Sequence, residues 1–185
     1  APSTPSRAER PEMGEVKANN EAFWDLSYGL YIVTSRDGER MNGQIATAAM
    51  QVTAVPPKIV VCLSKETLTH ELLIKSGKFG ITVLDQEITM QEIGPWGFRS
   101  GRDIDKFRNA HYRIGSETGV PLVLDHALSV LEAKVIDTVD VGTHTMFVGE
   151  VEGAQRLREG KPLTYDYYQK EKKGKSPKNA PTYHG

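Results

Sequence analysis

The stretch Asn42-Gly-Gln-Ile-Ala-Thr-Ala-Ala-Met50 consists mainly of small and polar residues. After Pro56-Pro57 come an apolar run over residues 58–63 and then Ser64-Lys-Glu-Thr-Leu-Thr-His-Glu-Leu72. A flat ring system needs small side chains and backbone amides along one wall, because large side chains would fill the space of the ring. Together these segments predict a cleft for a flat ring that carries a phosphate.

Three hydroxyl side chains mark the end of the cleft predicted for the phosphate. Ser64, Thr67 and Thr69 cluster where a strand passes into a helix predicted over residues 68–76, with Gly77 as its left-handed end. The free N–H groups and the positive dipole end of a helix attract an anion. The residue types leave an alternative open, in which Thr67 only caps the helix and the alanines only pack a tight sheet.

Size and charge narrow the class of protein. A chain of 185 residues is long enough for one domain with its own core, without a disulfide or a structural metal. The 23 basic and 24 acidic residues nearly balance, which argues against nucleic-acid binding. No apolar run approaches the roughly 20 residues of a membrane span, so we expect a cytoplasmic protein. The single cysteine, Cys62, is interpreted as a buried thiol rather than a nucleophile.

The alternation of apolar runs and turns predicts a mainly β protein. We expect a flexible tail over residues 1–18, a barrel domain over 19–160 and an extended C-terminal arm over 161–185. The predicted strands cover residues 30–35, 41–55, 58–63, 78–84, 127–139 and 143–155, with short helical pieces around a break at Gly94-Pro-Trp-Gly97. Such strands, joined by short turns, predict a closed or partly closed antiparallel barrel. The positive segment 170–178 is either a solvated tail or an arm that reaches onto a partner subunit and its anionic ligand.

Four stretches carry a resemblance to a known family. They are Tyr28-Gly-Leu-Tyr-Ile-Val-Thr34, residues 42–51 leading to Pro56-Pro57, Gly97-Phe-Arg-Ser-Gly-Arg-Asp-Ile-Asp-Lys-Phe107, and Val141-Gly-Thr-His-Thr-Met-Phe-Val-Gly-Glu150. In their order and spacing, the chain resembles the flavin reductase-like family, and most closely the flavin domain of high-molecular-weight rubredoxins and flavoredoxin. This resemblance implies an FMN-binding split β-barrel of Greek-key type with a few short helices, a homodimer, tightly bound FMN and NAD(P)H as the electron donor.

The resemblance also implies which residues hold the flavin. The ring wall would consist of Asn42, Gln44, Ile45, Ala46, Thr47 and Ala48. The ribityl chain and phosphate would contact Cys62, Leu63, Ser64, Lys65, Thr67, Leu68 and Thr69. The loop Phe98, Arg99, Ser100, Gly101 and Arg102 would lie close to the flavin or the subunit interface. His144 stands where the family often has a histidine near the nicotinamide site, and it is the candidate catalytic residue.

The residues themselves allow plainer interpretations. His144 could be an ordinary hydrogen-bonded histidine at the rim of the barrel. Arg99 and Arg102 could be surface charges paired with neighbouring aspartates. His70 is predicted on the helix surface, and the histidines as a group suggest no set of metal ligands.

We therefore expect an FMN-binding oxidoreductase that takes hydride from NAD(P)H and passes electrons to a flavin or to a protein such as a rubredoxin or a flavodiiron protein. Alignment of the two rings is sufficient for this chemistry, so no acid–base pair is needed. One alternative is an FMN-binding module reduced only by a partner protein, and another is a flavin-free barrel that binds a different anion. No dinucleotide fingerprint distinguishes NADH from NADPH. High-molecular-weight rubredoxins continue into a domain with paired CxxC iron ligands, which one cysteine cannot supply, so the acceptor stays open.

Overall fold

The computed structural model describes residues 19–178, 180 and 182. The tail predicted over residues 1–18 lies outside these residues. The described strands are β1 (Tyr31–Asp37), β2 (Arg40–Ala46), β3 (Ala49–Ala54), β4 (Pro57–Ser64), β5 (Lys78–Leu84), β6 (Tyr112–Ile114), β7 (Pro121–Val123), β8 (Ala127–Asp140) and β9 (His144–Arg156). The helices are a 3-10 helix (Asn20–Asp25), α1 (Leu68–Ser76), α2 (Met90–Gly97) and α3 (Tyr165–Lys170). The prediction of a mainly β fold with a few short helices is confirmed.

Seven strands form one antiparallel sheet in the order β2-β1-β5-β8-β9-β4-β3. Its two edge strands, β2 and β3, are consecutive in sequence and are joined by Thr47 and Ala48. β2 also lies against β4, the strand next to the opposite edge. The sheet is thus rolled into a partly closed barrel, and β6 and β7 form a separate small hairpin.

Both faces of the rolled sheet are covered. Neighbouring side chains of a strand point to opposite faces, and in β1 Val33 packs into the barrel interior beside Phe79 and Phe147. Ile32 packs on the outer face, in a cluster that contains Trp96 of α2 and Tyr168 of α3. This double burial explains why Ile32 and Val33, which are neighbours in the sequence, are both apolar. The cluster on the outer face also holds α2 and α3 against the sheet.

α1 has the predicted bounds. Thr67 caps its N-terminus in an extended conformation, and Gly77 ends it in the left-handed region with φ of 67°. The long hairpin predicted near the C-terminal end of the barrel is also confirmed, as β8 and β9. Among the described residues, no helix is long and apolar enough to cross a bilayer.

Three predictions about chain segments need correction. The single strand predicted over residues 41–55 is two strands, because the chain leaves β1 after Ala46 and pairs with β4 from Ala49. The break predicted at Gly94-Pro95 lies inside α2, where a capping box between Thr89 and Glu92 stabilises the first turn and the proline removes only one donor. The predicted C-terminal arm is not extended throughout, since α3 packs on the outer core through Tyr168.

Candidate functional site

A cavity of about 340 Å³ lies between β2, the start of α1, the loop after α2 and the C-terminal segment. Most of the predicted site residues line it: Asn42, Gln44, Ile45, Ala46, Thr47, Cys62, Ser64, Thr67, Leu68, Phe98, Arg99, Ser100, Gly101 and His144. Five others do not: Ala48, Leu63, Lys65, Thr69 and Arg102. The fold therefore gathers three separate sequence segments and His144 around one space.

The corner between β4 and α1 is built by local hydrogen bonds. The Thr67 hydroxyl accepts from the backbone N–H of His70 at 3.3 Å and donates to the carbonyl of Ser64 at 3.1 Å. The Ser64 hydroxyl accepts from the backbone N–H of Glu66 at 3.3 Å. Thr67 thus does cap the helix, and it lines the cavity as well. The first turn of α1 directs further backbone N–H groups, which have no acceptor within the helix, toward this corner.

The five predicted residues outside the cavity have other contacts. Thr69 is fully buried and accepts a hydrogen bond from Asn42 Nδ2 at 3.0 Å, so it supports the ring wall from behind. Leu63 packs in the barrel core. The Ala48 carbonyl accepts from the backbone N–H of Cys62 at 3.0 Å. These three residues hold the walls of the cavity rather than facing it.

The remaining two, Lys65 and Arg102, form ion pairs at the surface. Lys65 Nζ lies 2.7 Å from an oxygen of Asp140, and this contact lowers the pKa of that carboxyl group. Arg102 Nη1 lies 3.0 Å from Glu71 Oε2 in α1, so its partner is not one of the neighbouring aspartates. Hydrogen bonds from Arg102 and Lys75 lower the pKa of Glu71. The second pair ties the loop after α2 to α1.

Two polar atoms on the cavity wall are buried without a partner. Gln44 Oε1 and Thr47 Oγ1 have no hydrogen bond within the described part of the chain, although both residues line the cavity. Buried polar atoms in folded proteins are nearly always hydrogen-bonded. An amide oxygen and a hydroxyl at this place match a ligand with alternating N–H and C=O groups along one edge. The pyrimidine edge of a flavin has this chemistry, so the residues present fit the predicted cofactor.

His144 lies at the rim of the cavity, next to the corner between β4 and α1. It pairs with Ser64 in the register of β9 and β4, and its Nδ1 atom is 2.8 Å from the hydroxyl oxygen of Thr143. His70, predicted on the helix surface, is half-buried instead. Its Nε2 atom lies 2.8 Å from Thr145 Oγ1, and burial is the main cause of its lowered pKa, followed by the charges of Lys65 and His144.

Cys62 is half-buried on the cavity wall, and burial raises the pKa of its thiol. A raised pKa keeps the sulfur protonated and weakly nucleophilic. Cys62 is thus less buried than the core thiol expected from the sequence, and its raised pKa agrees with the expectation that it is not a nucleophile.

Sequence reasoning missed Lys106, which also lines the cavity. Its side chain is only 9% exposed, and its Nζ donates to the carbonyls of Gly43 at 2.9 Å and Trp96 at 3.2 Å. Burial lowers the pKa of this amine to about 8. In the sequence, Lys106 follows Arg102, Asp103 and Asp105, and such a mixed-charge loop gives no sign that one of its charges is buried.

The position of the C-terminal segment is the second feature that sequence reasoning did not predict. Its cavity-lining residues are Tyr165, Tyr168, Lys175, Ser176, Pro177, Ala180 and Thr182. The Tyr168 hydroxyl donates to the carbonyl of Lys175 at 2.8 Å, and the Tyr165 hydroxyl is hydrogen-bonded to Ser176. The described part of this segment therefore folds back over the cavity of its own chain.

Known proteins match most of this chain. Residues 24–174 match the family model described as a flavin reductase like domain. The chain is 50% identical over 163 residues to a ferric-chelate reductase (NAD(P)H) of Archaeoglobus fulgidus, covering 88% of this chain and 96% of that protein. It is 46% identical over 165 residues to a high molecular weight rubredoxin of Moorella thermoacetica, covering 89% and 72%. Among solved structures, an FMN-binding protein from Thermus thermophilus with bound p-hydroxybenzaldehyde superposes with a TM-score of 0.68 at 27% identity, covering 88% and 89%.

Proposed function

The chain belongs to the flavin reductase-like domain family, and we propose that it binds FMN in the cavity beside β2 and reduces it with NAD(P)H. The observation that carries this proposal is a pair of buried atoms, Gln44 Oε1 and Thr47 Oγ1, that have no partner among the described residues. They lie on the wall of a cavity whose other end is the N-terminus of α1. One end suits the polar edge of a flavin and the other suits a phosphate. When bound, FMN accepts a hydride from the reduced nicotinamide and passes the electrons on.

In this proposal, the chain's own residues bind the flavin and orient the nicotinamide. Gln44 and Thr47 would hold the ring edge, and Ser64, Thr67 and the first turn of α1 would hold the phosphate. His144 at the rim would position the nicotinamide. The polar edge would hold one side of the flavin ring and the helix end its phosphate, and the small side chain of Ala46 on the cavity wall would leave room for the second ring. This division of roles needs no protein group to act as an acid or a base.

The names of two relatives support the proposed electron donor and one class of electron acceptor. The Archaeoglobus relative is named for the use of NAD(P)H and the reduction of ferric chelates, and the Moorella relative is named a rubredoxin. We propose that reduced flavin in this protein serves a small acceptor, such as free flavin or a ferric chelate, or a redox protein of the rubredoxin or flavodiiron type.

We also propose a homodimer. Met50 and Val52 on edge strand β3, and Ile136 and Val139 near the end of β8, are exposed apolar side chains. An edge strand has unpaired backbone N–H and C=O groups, and with exposed apolar side chains it can pack against another chain. Sedimentation is expected to give twice the chain mass of 20.5 kDa. A species at the single-chain mass at micromolar concentration would contradict this proposal.

Anaerobic reduction of the FMN-loaded protein tests the proposed activity. The loaded protein should be yellow and should bleach within seconds of adding NADH or NADPH. A yellow protein that neither nucleotide bleaches would favour the module reduced only by a partner protein. A protein that stays colourless after refolding with FMN would overturn flavin binding altogether.

Thr67→Val is expected to lower the affinity for FMN about tenfold, because one hydroxyl at the phosphate corner is lost. Riboflavin lacks the phosphate, so its affinity should be unchanged, and fluorescence titration of both ligands measures the difference. Thr89→Val is a matched control, since Thr89 caps α2 in the same way but does not line the cavity. Both variants should lose about 1 kcal/mol of stability through the lost cap. An equal loss of affinity for the two ligands in Thr67→Val would place the phosphate elsewhere.

A further inference from the structure

Lys106 is a buried cation on the wall of the proposed flavin cavity. It lies in the loop between α2 and β6, and only 9% of the residue is exposed. Its ammonium group has three N–H donors, of which two are taken by the carbonyls of Gly43 and Trp96. The third donor has no hydrogen bond to any described residue, and Lys106 borders the cavity.

The charge of Lys106 has no counter-ion in the part of the protein that the structure describes. Within residues 19–178, 180 and 182, no carboxylate forms an ion pair with its ammonium group. A buried charge without an opposite charge is costly, and burial lowers the pKa of Lys106 to about 8. The group is still largely protonated at neutral pH. A ligand that brings negative charge into the cavity would offset this cost.

The two hydrogen bonds also fix where the charge lies. Gly43 is the residue between Asn42 and Gln44 in β2, and Trp96 lies in the last turn of α2. Lys106 thus bonds to the ring wall and to α2, whereas the proposed phosphate corner is formed by β4 and α1. The cation is held by the wall of the ring and not by the corner of the phosphate.

Hydride transfer brings two electrons and one proton to the flavin ring, so it adds one negative charge to the ring while the phosphate keeps its own. We propose that Lys106 provides the fixed positive charge that stabilises this added charge and so favours reduced over oxidised flavin. The inference rests on the proposed function. It assigns Lys106 to the ring and predicts that its removal acts on the reduction potential more than on binding of oxidised FMN.

Lys106→Gln tests this inference because it keeps a hydrogen-bond donor and removes the charge. The affinity for oxidised FMN should change little, while the ratio of reduced to oxidised affinity should fall about tenfold, equivalent to about 30 mV toward lower potential for a two-electron couple. Lys106→Arg keeps the charge and should keep most of the wild-type potential. Lys75→Gln removes an exposed lysine of α1 and should leave the potential unchanged.

The potential is measured by equilibration of FMN-loaded protein with a reference dye, and the affinity by titration with oxidised FMN. An unchanged potential in folded Lys106→Gln, or an equal loss of affinity for both flavin states, would overturn the role of Lys106. If Lys106→Gln does not fold, Lys106→Met tests the same loss of charge with a side chain of similar length. A wild-type protein that takes up no FMN would instead refute the proposed function.

Discussion

Gly101→Ala is expected to lower the affinity for FMN by about 100-fold, or nearly 3 kcal/mol, in a chain that still folds. A Cβ atom added at Gly101 would lie 2.0 Å from Asn42 Oδ1 and 2.4 Å from Asn42 Cγ. Asn42 is short, only 3% exposed and hydrogen-bonded to the buried Thr69, so it cannot swing away. The loop must move instead, and it carries Phe98, Arg99 and Ser100 away from the cavity.

Gly94→Ala is the matched control for this prediction. Gly94 lies in α2, and an added Cβ there meets no atom within 4 Å outside its chain neighbours and the backbone of its own helix. This variant should bind FMN as the parent does, because the added methyl group does not meet the wall of the cavity. Flavin fluorescence titration gives the affinities, and urea unfolding gives the stabilities. Parent-like affinity in Gly101→Ala would mean that the loop after α2 does not contact the ligand.

The parts of the fold that sequence predicted correctly are those with local signals. α1 was predicted with its observed bounds because a capping threonine at Thr67 and a left-handed glycine at Gly77 mark its ends. β5 follows directly, and its apolar residues are typical of a strand that is buried on both faces of the sheet. Such signals depend on neighbouring residues in the chain, so no knowledge of the tertiary structure is needed.

The segments that sequence did not predict depend on distant partners. The chain breaks between Ala46 and Ala49 because β2 pairs with β1 and β3 pairs with β4, and nothing in the local residues marks this change of partner. Lys106 is buried because two carbonyls from other segments receive its ammonium group. The position of Thr69 beside Ser64 and Thr67 in the sequence predicts a phosphate ligand, yet α1 packs against β2 and Thr69 accepts a hydrogen bond from Asn42 there.

In the candidate site, too, the residues with a local sequence signal could be predicted, and those that depend on distant contacts could not. The sequence predicts that residues from Asn42 to Thr47 and around Ser64 share one cleft, because small and hydroxyl side chains suit a ring and a phosphate, and most of these residues do line one cavity. The contribution of Tyr165 and Tyr168 was not predicted, because aromatic side chains near a chain end usually only fill a core. Their hydroxyl groups hold the segment around Lys175 and Ser176 over the cavity, and this contact exists only in the folded chain.

His144→Ala is expected to slow reduction by NADH or NADPH about 100-fold, while the affinity for FMN stays within about threefold of the parent. The register of β9 and β4 places His144 directly opposite Ser64, at the rim of the cavity. The nearby Thr143 hydroxyl, 2.8 Å from Nδ1, helps to fix the imidazole ring. A fixed ring at the entrance can align a second flat ring, and small errors in that alignment are costly for hydride transfer.

Anaerobic stopped-flow reduction of FMN-loaded protein separates this role from a structural one. His111→Ala is the control, because His111 is an exposed histidine paired with Asp125 and does not line the cavity. It should reduce at the parent rate. His144→Gln retains a polar side chain of similar reach and should recover part of the loss. A parent-like rate in folded His144→Ala would make His144 an ordinary rim histidine, since a residue that aligns the nicotinamide cannot be removed without slowing the step that the alignment serves.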